Sequence, residues 1–551
     1  NFLVDLCKRM HIRIVIYGHN AAKFDSILLY NSIFKRPDCH VNVDKNSRIV
    51  CNGRLLQFTY GGLVTFRDGV CHLSGSLKDV YRNFGIDDGK KELFTIDGVE
   101  YTNMDICKLH PELSPEQFVD WMNRPENEKY RSAYFDYCDH DVQGYLIALQ
   151  KYSRTMKNEL MPLVYGPLLE EVIKSKKGSD QFLDPLKCLT APGYSYKNWR
   201  LWHKVKFQED AALLPKQIAN WIRGAMIGGR SISVPGDYQN CCYFDIVSMY
   251  ASVMCYFEYP FGQPIKTDCE VPGKMGVYNV KSFKYPDNFG ICIVPNKNPE
   301  TGKLDQFCEV VNDRVLTSVD IQNCREHGCV VEVKDGIYWE KTYNPFKEYL
   351  MPFVNRKRQE DVLKMNKKPF NKILRELCKL MANSLYGKML EQDHDLQFDF
   401  VTDGSSLDME RFLHRKARGT VMETFPRQGT GFFYTFTSDE EGAEAQKPTQ
   451  LGVFVLSWSR WLLDHYIDAV GRRNICMVET DSMVFPDKFY PQFKSNLEKL
   501  AETCDLRDID GQPLFREADD RTAVLGNMKN ELAGEADAPY GHRIQRFNMW
   551  L

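Results

Sequence analysis

Residues 243–250 read Tyr243-Phe244-Asp245-Ile246-Val247-Ser248-Met249-Tyr250, one carboxylate in an otherwise apolar run. Aromatic and β-branched residues over Cys241–Val247 predict a short strand with Asp245 close to its end. Alone, that acid reads as the cap of a following helix. A second segment, Val478-Glu479-Thr480-Asp481-Ser482, sets two acids one residue apart, so both share one strand face. The alternation over Ile475–Phe485 predicts a hairpin with these acids near its tip, and alone they read as ordinary turn acids. Together they have the composition that phosphoryl transfer with two divalent ions requires, namely carboxylates held close, with oxygen ligands suited to Mg²⁺.

A third segment, Lys379-Leu380-Met381-Ala382-Asn383-Ser384-Leu385-Tyr386-Gly387, ends a predicted helix over Asp361–Leu390 that only Pro369 interrupts. At helical spacing Lys379, Asn383 and Tyr386 line one face, and Arg375 and Lys372 extend it backward. Residues 347–388 carry 11 Lys/Arg against 4 Asp/Glu, a local net of +7. Such a stripe suits a triphosphate with a ring stacked on a base. The plainer reading is a solvated basic face.

The rest of the chain bounds these readings. Its 551 residues predict three to five domains by the usual domain size of roughly 100–200 residues. With 43% hydrophobic and 26% charged residues it has material for cores, which excludes a disordered or a small disulfide-stapled chain. The 71 Lys+Arg and 74 Asp+Glu give a net charge of −3, which excludes a uniformly basic coat but not a local basic channel. The 18 cysteines are irregularly spaced, and Cys324/His327/Cys329 lacks a second half, so reduced thiols in an intracellular compartment are expected. No run approaches the ~20 apolar residues of a membrane span, and no signal peptide opens the chain. Strands are expected at His11–Tyr17, helices at Tyr134–Tyr152 (Tyr145, Leu146 and Leu149 on one side) and Leu451–Val470, a linker at Lys174–Asp184, and an acidic loop at Ser438–Gln450. The fold class is mixed α/β and multidomain.

In order and spacing, the three segments resemble motifs A (Asp245–Tyr250), B (Lys379–Gly387) and C (Glu479–Ser482) of family B DNA polymerases. The long stretches between them resemble the terminal-protein regions of the protein-primed branch found in viruses and linear plasmids. Gly228-Gly229-Arg230 resembles its YxGG element, Leu316-Thr317-Ser318-Val319-Asp320 an element before the fingers, and Lys529 the Lys of KxY. Asn20-Ala21-Ala22-Lys23-Phe24-Asp25 is similar to the exonuclease II motif and Tyr137-Cys138-Asp139-His140-Asp141 to exonuclease III. Phe66-Arg67-Asp68 and Ser76-Leu77 resemble a single-strand-binding element. The departures are Glu479 for the first acid of DTD, Ala251 for Pro, Met226 and Glu531 for the tyrosines of YxGG and KxY, and no DxE of exonuclease I before Asn20. That motif is expected upstream of Asn1, and the thumb is expected to be cut short at Leu551.

The resemblance implies a ribonuclease H-like exonuclease domain (1–175) followed by a right-hand polymerase. The latter comprises palm (186–262), a terminal-protein-region-1 insertion (263–355), fingers (356–390), a region-2 insertion (391–448), palm (449–530) and the start of a thumb (531–551). It implies two Mg²⁺ ions, with Mn²⁺ as a substitute, on Asp245 and Asp481, Glu479 beside them, and exonuclease metal on Asp25 and Asp141 with Tyr137 orienting water. Tyr250, Ser248, Lys379, Asn383, Tyr386 and Arg375 would meet the nucleotide. Asn20, Phe24, Ser76, Leu77, Gly228, Gly229 and Lys529 would meet DNA. The implied partners are template and primer, dNTPs and a terminal protein as primer, with no membrane. A ribonuclease H-like nuclease using Asp25 and Asp141, and a catalytically weakened DNA-binding homologue, are the alternatives.

Lys187–Gln208 contains no acid and interleaves Tyr194, Tyr196, Trp199 and Trp202 with Lys197, Arg200, Lys204 and Lys206. This pattern suits either single-stranded nucleic acid or aromatics filling a core beneath solvated cations.

Overall fold

The computed structural model of the chain describes residues 2–23, 25–34, 43–51, 54–87, 93–96, 99–298, 302–391, 396–402, 406–417, 421–427, 431–437, 445–519, 524–531 and 544–549. They form two compact units, 1–198 with 352–381, and 199–351 with 382–551. The architecture is mixed α/β. Among the described residues no helix is long and apolar enough to cross a membrane, and the cysteines are free thiols.

The first unit is built on a sheet of β1 (Ile14–Gly18), β2 (Val43–Cys51), β3 (Arg54–Tyr60) and β4 (Val64–Asp68) in the order β1-β4-β3-β2. β1 runs parallel to β4 and the other pairs are antiparallel. Val64 and Phe58 are buried, and Phe58 stacks on Phe66. Helices α1 (Asp25–Phe34), α2 (Leu77–Phe84) and α3 (Glu128–Thr155) follow. On α3 Tyr145 and Leu149 are buried but Leu146 is exposed. Residues four apart share a helix face and adjacent ones do not, so the expected three-residue stripe is a two-residue one. Nor is 174–184 a bare linker, because the short turn Gln181–Leu183 buries Phe182 and Leu183.

Helix α4 (Ala191–Phe207) settles the two readings of Lys187–Gln208 in favour of core. Tyr194, Tyr196, Trp199 and Trp202 are all buried. Trp199 stacks on Phe346 with centroids 5.6 Å apart and donates its indole N–H to the Pro345 carbonyl at 2.9 Å. Lys204 reaches Asp210 at 2.9 Å and Lys206 reaches Glu348 at 2.5 Å. Trp199→Ala is therefore expected to cost roughly 3–5 kcal/mol by urea unfolding. Neutralising Lys197, Arg200 and Lys204 together should leave the salt dependence of single-strand binding unchanged.

The second unit centres on a seven-stranded sheet. Its strands include β5 (Arg230–Ser233), β6 (Gly236–Ile246), β7 (Met477–Thr480), β8 (Ser482–Pro486), β9 (Glu517–Ala518) and β10 (Met528–Asn530). They run in the order β9-β10-β6-β8-β7-β5, and a last strand, β11 (Ile544–Met549), also pairs with β6. Phe244 and Ile246 of β6 are fully buried, and Phe244 stacks on Phe485 of β8. Then come α5 (Met249–Tyr256), α6 (Ser318–Glu326), α7 (Lys347–Met365), α8 (Lys372–Met389) and α9 (Thr449–Val470), of which α7 from Pro352 and α8 up to Met381 belong to the first unit. Pro369 separates α7 from α8 as its missing N–H requires. The turn is tied by the buried Glu360 carboxylate, which accepts the Asn371 N–H at 2.6 Å. Of the 22 residues of α9, 18 are buried, so it is the central helix of this unit rather than a surface one.

Candidate active site

Register places the acids. Asp245 on β6 is the direct cross-strand partner of Ser482 on β8, one residue after Asp481. The Ile246 N–H donates to the Asp481 carbonyl at 2.8 Å, so the motif that begins α5 and the tip of the hairpin are tied through backbone. Glu479 pairs with Ser482 across the hairpin and with Ser231 on β5, and it is exposed, whereas Asp245 and Asp481 are half-buried. Lys529 on β10 is the other partner of Asp245, and its ammonium lies 3.0 Å from Glu531.

Both turns at this edge use left-handed backbone. Thr480 sits at φ 58 between the two acids, and Ser248 at φ 49 opens α5. A β-branched residue in that region is strained, and it persists where its surroundings hold it. Gly229 lies beside this turn. A Cβ there would lie 3.0 Å from the Thr480 methyl and 3.3 Å from the Tyr250 hydroxyl. Gly228, Gly229, Arg230, Tyr250, Arg460 and Thr480 line a narrow cleft. Gly229→Ala is expected to cost roughly 1–3 kcal/mol through overpacking, seen as a lower urea midpoint with an unchanged slope.

Tyr250 stacks on Tyr386 of α8 with centroids 4.0 Å apart and planes 17° apart. Burial first, then Tyr386 and the negative Asp481, raises the Tyr250 phenol well above its usual value. Burial and Asp481 likewise raise Tyr386, against the hydrogen bond from Tyr250. Both phenols are therefore neutral donors at pH 7. Earlier on α8, Lys379 is exposed, while Arg375 lies 2.5 Å from both Asp361 and Glu376. Arg375 is thus committed to carboxylates of its own unit, whose negative charge raises its already high pKa against burial.

The donor set fits Mg²⁺ of one kind. Asp245 and Asp481 offer oxygens only, which a hard cation prefers. Among the described residues no group of three or more His, Cys, Asp or Glu is placed to hold a metal. Two carboxylates such as Asp245 and Asp481 would suit the common Mg²⁺ arrangement, in which one or two protein carboxylates are completed by phosphate oxygens and water.

The first unit places its predicted residues less compactly. Asn20 takes a left-handed turn at φ 57, Asp25 opens α1 and is exposed, and Phe24 lies outside the described residues. Tyr137 and Asp141 share one face of α3 and hydrogen-bond. Burial, and after it Asp141, pushes the Tyr137 phenol up to about 12. Ser76 caps α2, accepting the Asp79 N–H at 3.1 Å, and Leu77 is the first residue of that helix. Arg67 is occupied within the unit by Gln57 at 2.7 Å and the Leu186 carbonyl at 3.0 Å.

Sequence reasoning missed the polar seam of α9. Arg460 grips Asp320 by two contacts of 2.8 Å and one of 3.0 Å, and Ser457 donates to the same carboxylate at 2.8 Å. Thr317 caps α6 by accepting the Asp320 N–H at 3.2 Å, so Leu316–Asp320 is a helix start pinned to α9. Its signal was present in the sequence, since Ser457, Arg460 and Asp464 are spaced three and four apart on an otherwise apolar helix.

Residues 5–471 match the family described as DNA polymerase type B, organellar and viral. The chain belongs to that family. A DNA polymerase of Kluyveromyces lactis is 22% identical over 536 residues, which cover 90% of this chain and 48% of that protein. The chain thus spans about half the length of this curated relative. Among solved structures, Phi29 DNA polymerase with primer-template DNA and incoming nucleotide superposes with a TM-score of 0.57 at 18% identity, covering 86% of this chain and 72% of that one. Phi29 DNA polymerase with single-stranded DNA gives 0.55 at 18% identity, covering 86% and 71%. At these identities the likeness establishes a shared type B polymerase fold.

Proposed function

We propose that this chain carries a DNA-directed DNA polymerase of the protein-primed branch, joining a dNTP to a primer hydroxyl with release of pyrophosphate. The observation that carries the reading is the register of Asp245 against Ser482, with the Ile246 N–H on the Asp481 carbonyl, beside the Tyr250–Tyr386 stack. Asp245 and Asp481 would hold Mg²⁺, which when bound supplies Lewis-acid stabilisation of the charge that develops in the displacement. Tyr250 packs beneath the sugar and excludes a 2′-hydroxyl. Asn383 and Tyr386 border the nascent base pair, and Lys379, one turn earlier on the same helix, neutralises triphosphate charge. Arg375, held by Asp361, steadies the helix more than it meets phosphate.

The domain assignment made above is part of the proposal, with 1–175 as a ribonuclease H-like 3′–5′ exonuclease. It is supported by the mixed sheet with β1 parallel to β4 and by the Tyr137–Asp141 hydrogen bond on α3. A terminal protein as primer follows from the resemblance of 263–355 and 391–448 to terminal-protein regions.

Template-dependent incorporation of labelled dNTP onto an annealed primer tests the reading. A nuclease alone would shorten the primer, and a binding homologue would shift it in a gel without extending it. Either result would replace the polymerase proposal.

A further inference from the structure

Asp464 of α9 is a carboxylate without solvent, its side chain 0% exposed. Arg230 approaches it at 2.9 Å and 3.0 Å, Arg472 at 2.9 Å, and the Asn323 amide donates to it at 3.0 Å. Arg230, itself buried, also donates to the carbonyls of Cys292 at 3.1 Å and Ile293 at 2.9 Å. Arg472 reaches the Ile291 carbonyl at 2.9 Å and Asp468 at 2.6 Å. Burial would raise the Asp464 carboxyl, but Arg230 and Arg472 outweigh it and hold it at about 2.

Such a cluster is a poor way to gain stability, because desolvating the charges offsets most of their attraction and apolar residues of equal volume do as well. What it supplies is direction. The Arg fork has fixed geometry and the carboxylate has no alternative partner in water. The residue that carries the fork sits at a sensitive place, since the Arg230 backbone is the cross-strand partner of Thr480, the left-handed residue between Glu479 and Asp481. Its neighbour Gly229 lies against the Thr480 methyl and the Tyr250 hydroxyl.

We propose that Asp464 and Arg230 are positioning residues that fix the hairpin tip, and so the place of the Asp481 carboxylate beside Asp245. The proposal rests on the polymerase reading above. Central helix, β5 and hairpin tip form one chain of contacts, in which α9 holds Arg230, Arg230 holds β5, and β5 holds the Thr480 turn by register. Arg472 is a second arm that steadies Asp464 against the 291–293 segment.

The test uses the full chain with Asp464→Asn and with Arg230→Lys, which keeps a charge beside Asp464 but loses the fork onto Cys292 and Ile293. Mn²⁺ affinity is titrated by electron paramagnetic resonance without nucleotide, and kcat and dNTP KM are measured by primer extension. Both folded variants should bind Mn²⁺ roughly 10- to 100-fold more weakly, the usual loss when the support of a metal ligand is removed. The fall in activity should sit in kcat, with KM unchanged. Folded variants that bind Mn²⁺ as the wild type does would overturn the positioning role, whatever their thermal stability. Should Asp464→Asn not fold, Arg230→Lys carries the same expectation. A wild-type chain that neither extends primers nor binds Mn²⁺ in an Asp481-dependent way would remove the polymerase reading, and this proposal with it. An active wild type matched by both variants would overturn the positioning role alone.

Discussion

Asp245→Ala and Asp481→Ala are each expected to lower primer extension by roughly three orders of magnitude or more while leaving duplex binding and folding intact. A bound cation contributes several kcal/mol of transition-state stabilisation, and about 1.4 kcal/mol corresponds to tenfold in rate. Folding should survive because the residues that carry the sheet here are the flanking ones. Phe244 and Ile246 are fully buried in the layer beneath, whereas the two acids sit half-buried at the rim. The backbone pairing of β6 with β8 does not depend on either side chain. Glu479 differs in kind. It is exposed and occupies the strand position before the turn, so Glu479→Asp should preserve or raise activity. Single-turnover incorporation with equal amounts of folded protein, checked by circular dichroism, separates the three. Extension by either alanine variant near the wild-type rate would exclude the two-carboxylate assignment.

What was legible in the sequence follows from how local each signal is. The hairpin around Thr480 and the helix over 451–470 appear within two residues of their expected places, because periodicity and turn residues write them locally. The strand around Asp245 ends at Ile246, close to the expected Val247, but begins at Gly236, well before the expected Cys241. The helix expected over 361–390 is two helices, and the earlier one begins at Lys347 because Pro352 is accommodated inside it. Proline normally argues for a break, and packing overrides that preference here, with Phe353 fully buried. The aromatic and basic pattern of 187–208 cannot distinguish a nucleic-acid face from a core helix, since both use the same residues. The partners of Trp199 at Pro345 and Phe346 are what decide it. Long-range ion pairs are the least legible of all. Arg230 and Asp464 lie 234 positions apart, and only the fold shows that the arginine after the two glycines is held by the central helix.

Tyr250→Val is expected to raise the use of ribonucleotides relative to deoxyribonucleotides by roughly 10- to 200-fold, the range that one close steric contact in a pocket supplies. The ring is held from three sides. It is the second residue of α5, one position beyond Met249, which follows the left-handed Ser248; it stacks on Tyr386 at 4.0 Å, and its hydroxyl lies where a Cβ on Gly229 would come within 3.3 Å. A ring so fixed cannot swing aside for an extra hydroxyl on the sugar, so the repulsion is paid in the transition state as well as in binding. Valine removes the ring and leaves the turn in place, so deoxyribonucleotide incorporation should fall less than discrimination does. Tyr250→Phe keeps the ring and loses only the hydroxyl, and should keep most of the discrimination. Tyr386→Val removes the stacking partner, and a smaller loss is expected because Tyr250 then gains freedom without losing volume. The measurement is the ratio of kcat/KM for a dNTP and the matching rNTP on one template position. An unchanged ratio in Tyr250→Val, with dNTP incorporation intact, would assign the steric role to another residue of the cleft.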